Sequence, residues 1–78
     1  MPIVLREGPY TFLFYSSDRN EPRHIHVKRD RQVAKFWLEP VSQANNEGYA
    51  EHEVRAIERL VIKHQQVLVS GWDEYFST

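Results

Sequence analysis

The sequence predicts an α+β fold: an antiparallel sheet of three to four strands with one or two C-terminal helices packed on one face. Two patterns and a length predict it. Aromatic and β-branched segments alternate between residues 10 and 38, broken by turn formers. From Val54 to Tyr75, apolar residues recur at alternating steps of three and four. The chain has 78 residues, enough for one small core. The expected organisation is a single domain over 1–78, with strands and a hairpin at about 3–39, a loop at 40–49 and a helical region at about 50–76.

Ile3-Val4-Leu5 is a short apolar run ending at Gly8-Pro9, and reads as an edge strand. Tyr10 to Ser16 is a better strand, with Tyr10, Phe12 and Phe14 on one face and Thr11, Leu13 and Tyr15 on the other. Apolar groups on both faces place it inside the sheet. Ser16 to Pro22 is dense in turn formers and reads as a loop, and Pro22 biases Glu21 towards an extended conformation.

Arg23–Lys28 and Gln32–Leu38 form a second hairpin. A two-residue loop at Arg29-Asp30 pairs Ile25 with Ala34 and His24 with Lys35. That register puts Ile25, Val27, Ala34, Phe36 and Leu38 on one face, and His24, His26, Val33, Lys35 and Trp37 on the other. A one-residue slip would mix the faces, so burial selects against it. Pro40 ends the strand, and Val41 to Gly48 reads as irregular. The helix starts near Glu51, whose charge, with that of Glu53, suits the positive end of the dipole. Ala50 offers no capping side chain. A single helix to Phe76 would run roughly 39 Å, against a radius of gyration of about 11–12 Å for a chain of this size. A break is expected, near His64-Gln65 or at Gly71, unless the overhang packs on a second copy.

Charge is segregated along the chain. Arg19, Arg23, Lys28, Arg29, Arg31 and Lys35 face only Glu21 and Asp30 in their stretch, a local net of +4. Between Glu39 and Glu58, five carboxylates face Arg55 alone, a local net of −4. Such a division suits an anionic partner or a mixed solvated surface. There is no cysteine, hence no disulfide or thiolate metal site. No transmembrane run and no signal-peptide pattern are present, so the expectation is a cytoplasmic protein without a membrane partner.

The segment Glu21–Val27, Glu-Pro-Arg-His-Ile-His-Val, carries the candidate chemistry, because a strand turns both imidazoles to one face. Three readings follow. His24 and His26 could act as an acid–base pair on RNA, with Lys35 as a third catalytic candidate; Arg19, Arg23, Lys28, Arg29 and Arg31 would hold phosphates and Trp37 would stack a base. They could supply two metal ligands, short of the three or four a site needs, so no metal or other cofactor is assigned; His52 and His64 fall on the helix behind the sheet. Or they could hydrogen-bond the Ser16–Pro22 loop and fix its exit into the strand.

The His-x-His block, the Ala34–Pro40 stretch Ala-Lys-Phe-Trp-Leu-Glu-Pro, the Glu53–Val61 pattern Glu-x-x-x-Ile-x-x-Leu-Val, His64 and the closing Trp72–Phe76 resemble the small bacterial family DUF4160, a domain of unknown function. The resemblance implies a short bacterial protein, encoded beside another small protein in a toxin–antitoxin-like arrangement. Ala50 and Gly71 depart from the family's helix pattern. The expected partners are RNA or DNA, a small cognate protein, or a second copy bound through the C-terminal helix. The leading reading is a nucleic-acid-associated member of such a pair; the alternative is a non-enzymatic interaction module whose histidines are structural.

Overall fold

The computed structural model describes residues 3–76. Five antiparallel strands lie in chain order, β1 (Ile3–Glu7), β2 (Tyr10–Leu13), β3 (His24–Arg29), β4 (Gln32–Leu38) and β5 (Val41–Glu47). Two helices follow, α1 (Glu51–Lys63) and α2 (Gln65–Phe76). The α+β class and antiparallel sheet are as expected, but the strand number is five. The extra strand is β5, in the segment read as a loop. Its sequence, Val-Ser-Gln-Ala-Asn-Asn-Glu, has little β preference of its own. Pairing to β4 supplies the order, and the register shifts by one residue at a bulge near Lys35/Phe36.

β2 stops at Leu13, short of the expected Ser16, and Ser16–Asn20 forms a 3₁₀ turn. Glu21 follows it in extended backbone, as its position before proline dictates. In the β3–β4 hairpin, Ile25 pairs with Phe36, Val27 with Ala34 and His24 with Trp37. The register is displaced by two residues from the expected one, with Asp30-Arg31 as the tip and Asp30 at a φ of 54°. A two-residue displacement leaves every side chain on its face, so the predicted faces stand.

The helices cover the Ile25/Phe36 face. Phe12, Phe14, Ile25, Val27, Phe36, Leu38, Ile57, Val61 and Leu68 close together with no exposed surface. Burial of each large side chain contributes about 1.5–3 kcal/mol. The helix breaks at His64, whose backbone leaves the helical region, and not at Gly71. The break lets the chain stay within 37 × 23 × 21 Å. Gly71 lies inside α2 for a different reason: a Cβ there would come within 2.8 Å of Val4 Cγ1. Its missing side chain lets α2 approach β1. No helix among the described residues is long and apolar enough to cross a membrane.

Candidate functional site

The 3₁₀ turn brings a third group to the two histidines. Asp18 stands in the turn because its Oδ2 accepts the backbone N–H of Tyr15 (2.8 Å), while its own N–H donates to the Tyr15 carbonyl (3.0 Å). This closes the turn back over the sheet face that carries β3's imidazoles. His26 Nε2 then lies 3.1 Å from Asp18 Oδ2, and His24 Nε2 also lies 3.1 Å from it. His24 is fully buried, and the side chains of His26 and Asp18 are 14% and 10% exposed. The loop-bracing hydrogen bonds are thus present, and they run through Asp18 and Pro22.

Walls of aromatic rings enclose this corner. Tyr15 stands edge-on to His26 at 4.7 Å between centroids, and Trp37 lies 5.7 Å from His24. Trp72 of α2 reaches round the end of the sheet to lie 4.9 Å from His24 while also meeting Phe14 at 5.2 Å. Arg23, next to His24, ties the same helix down by donating from Nε to Asp73 (2.7 Å), while its Nη1 donates to Glu39 (3.0 Å), just past the end of β4.

The electrostatics follow from burial and these contacts. Burial holds His26 below the ordinary imidazole pKa against the opposing pull of Asp18. Burial also works against ionisation of Asp18, but the Tyr15 N–H and the two imidazoles outweigh it and bring its pKa below the usual value. His24 Nδ1 donates to the Pro22 carbonyl at 2.8 Å, which sets the ring's tautomer and orientation. Its Nε2, with no exposed surface, has no hydrogen-bond partner.

The remaining expected site residues are distributed differently. Lys35 pairs with Glu21, lowering that carboxyl's pKa, and lies over the Trp37 ring at 4.7 Å. Arg29 bonds Glu53 at 2.8 Å on α1, and the same carboxylate accepts Tyr10's hydroxyl at 2.8 Å. The basic hairpin and the acidic helix start therefore meet within one molecule. Arg19, Lys28 and Arg31 are exposed, Arg31 at the hairpin tip and Lys28 two residues beyond His26 on the same strand face. An acid–base pair needs both imidazoles to touch substrate, and His24 shows no surface to one. His64 marks the helix break 3.5 Å from Glu7 without completing a hydrogen bond.

Sequence reasoning placed Asp18 only within the Ser16–Pro22 loop and did not find Trp72's role. A signal for Asp18 existed: an acidic residue three positions after Tyr15 reaches back to that residue's N–H, the geometry of a helix-start capping box. Nothing local marks Trp72, which meets His24 only through the packing of α2.

A family model described as "Domain of unknown function (DUF4160)" matches residues 10–73, from β2 through most of α2. No curated protein and no solved structure matches the chain.

Proposed function

The chain belongs to the DUF4160 family, and we propose that this member is a non-enzymatic protein–protein interaction module, its imidazole pair structural and its contact surface along the free edge of β1. One observation carries the reading: among the described residues β1 has a single neighbour in the sheet, β2, and an apolar groove lies between β1 and α2. Ile3, Val4, Phe14, Gly71 and Tyr75 line that groove with Glu74, and Ile3 and Tyr75 are 44% and 39% exposed. An unpaired strand edge offers backbone hydrogen bonds in register, and a flanking groove selects an apolar side chain. The occupant that fits is an extended segment of a small partner protein, in keeping with the paired-gene arrangement implied by the family resemblance.

The cations of the hairpin support the same reading. Arg23, Arg29 and Lys35 are each engaged by carboxylates of their own chain. Arg23 is held more firmly protonated by its hydrogen bond to Asp73. A nucleic acid would have to displace these pairs. Lys28 and Arg31, exposed around the hairpin tip, are what favours the second reading, in which RNA or DNA is bound.

Co-expression with the neighbouring small protein tests the proposal. Light scattering should show a stoichiometric complex, hydrogen exchange should slow along β1, and Ile3→Asp with Tyr75→Asp should abolish both in a folded protein. A complex indifferent to these two changes, or protection confined to the β3–β4 tip, would overturn it. So would salt-sensitive RNA binding lost on Lys28→Glu/Arg31→Glu, which would establish the second reading.

A further inference from the structure

The corner between the 3₁₀ turn and β3 contains more than a loop brace. Donor atoms of Asp18, His24 and His26 all lie within 4.8 Å of one another. We propose that these three side chains form a mononuclear site for a divalent d-block cation of the zinc class. This goes beyond the interaction reading and does not depend on it.

The tautomer of His24 is set by its contact with Pro22. Its Nδ1 donates to Pro22, so in the neutral ring Nε2 carries a bare lone pair. That lone pair is completely buried and its nearest polar neighbour is a carboxylate oxygen, Asp18 Oδ2, at 3.1 Å. Two electron-rich atoms at this distance in a dry corner repel unless something positive lies between them. A proton on Nε2 supplies the charge but not the alignment, because the approach to Oδ2 falls short of hydrogen-bond geometry. A nitrogen close to a carboxylate oxygen but aimed past it is how two ligands of one ion are disposed. Each points at the ion, not at the other.

The surroundings have the character of a supporting shell. The Nδ1–H···O=C bond of His24 is the usual outer contact of a metal-ligating histidine. The Tyr15 N–H on Asp18 Oδ2 holds the carboxylate. Two nitrogens and one oxygen select a borderline cation and disfavour magnesium or calcium, which take oxygen donors. Each histidine nitrogen lies 3.1 Å from Asp18 Oδ2, a separation that suits metal–ligand distances of about 2.0–2.1 Å. The ion would draw the two imidazole nitrogens together from within the 4.8 Å that bounds all three donors. A water molecule would complete four-coordination on the side where His26 and Asp18 keep their slight exposure. On binding, His26 moves its proton from Nε2 to Nδ1, so that Nε2 becomes the ligand atom. The ion then links the 3₁₀ turn to the start of β3.

The test uses untagged, full-length, chelator-stripped protein titrated with Zn²⁺ and, separately, Co²⁺. Calorimetry should give one site per chain, and Co²⁺ should develop ligand-field absorption. At free Zn²⁺ a hundredfold above Kd, Tm should rise by about 10 °C or more. In the wild-type protein, imidazole ¹⁵N spectra should show Nε2 of both His24 and His26 shifting on Zn²⁺ addition. Asp18→Asn and His26→Gln should each weaken binding at least tenfold, whereas His52→Ala on exposed α1 should leave it unchanged. No stoichiometric binding, unmoved Nε2 resonances, or binding lost with His52 would each overturn the proposal. The ¹⁵N measurement decides even if a corner variant fails to fold.

Discussion

Two rows of side chains run side by side along α2 and meet opposite surroundings. Leu68 and Trp72 point inward, with Trp72 closing the polar corner against His24. Gly71 and Tyr75 line an apolar groove left partly open to water. In the corner, polar atoms are buried and nearly all are satisfied internally. At the groove, apolar atoms are exposed beside the edge strand β1. Residue type alone is a poor guide to exposure here: the histidines look inward, and the apolar groove open to water is lined by Ile3, Val4 and Tyr75.

The largest effect is expected at Trp72, where the corner meets the aromatic core. Trp72→Ala removes the contacts to His24 and Phe14 together and should cost about 3–5 kcal/mol, read from urea unfolding. Asp18→Ala attacks the corner alone. It removes the acceptor of the Tyr15 and His26 donors and should cost about 2 kcal/mol in metal-free protein. A loss below about 0.5 kcal/mol would mean the corner is not braced through this carboxylate.

Acid should act in the same direction. His26 and Asp18 both have lowered pKa values in the fold, so the unfolded chain binds more protons and stability falls as pH falls. The first loss begins as pH drops through the ordinary histidine range, and a second follows below the ordinary aspartate range. His26→Gln should flatten the upper limb of the metal-free stability–pH curve while leaving the lower one. An unchanged upper limb would refute its assignment to His26.

Gly71→Ala sharpens the groove side. A methyl 2.8 Å from Val4 Cγ1 should outweigh the gain in helix propensity and leave a net loss of about 1 kcal/mol. A double-mutant cycle with Val4→Ala should recover about as much through coupling; additive losses would place the strain elsewhere. The smallest effect lies outside both rows. Ala50 caps α1 without a side-chain hydrogen bond, so Ala50→Ser should raise stability by about 0.5–1 kcal/mol. No change in unfolding midpoint would mean the first turn is already satisfied.

Much of the fold was legible because it rests on periodicity. Period two assigned Ile25, Val27, Ala34 and Phe36 to the core, and that assignment survived a two-residue displacement in register because parity is preserved. β5 was not legible: Val41–Glu47 has no pattern of its own, and β4 recruits it through backbone bonds common to every sequence. Half of the candidate site was legible in the same sense. The shared strand face of His24 and His26 follows from spacing, but what covers that face does not.

Chain-local patterns were enough for the two amphipathic layers, the need for a helix break and the placing of two imidazoles on one side of a strand. Those properties depend on neighbours along the chain, which local stereochemistry fixes. Only the packing of whole elements set Asp18 back onto both imidazoles, chose His64 over Gly71 for the break, and brought Trp72 and Gly71 against His24 and Val4. Asp18 reaches His26 across eight residues of chain, and Gly71 meets Val4 almost a full chain length away. Contacts between such residues are set by how whole elements dock, which no local pattern encodes.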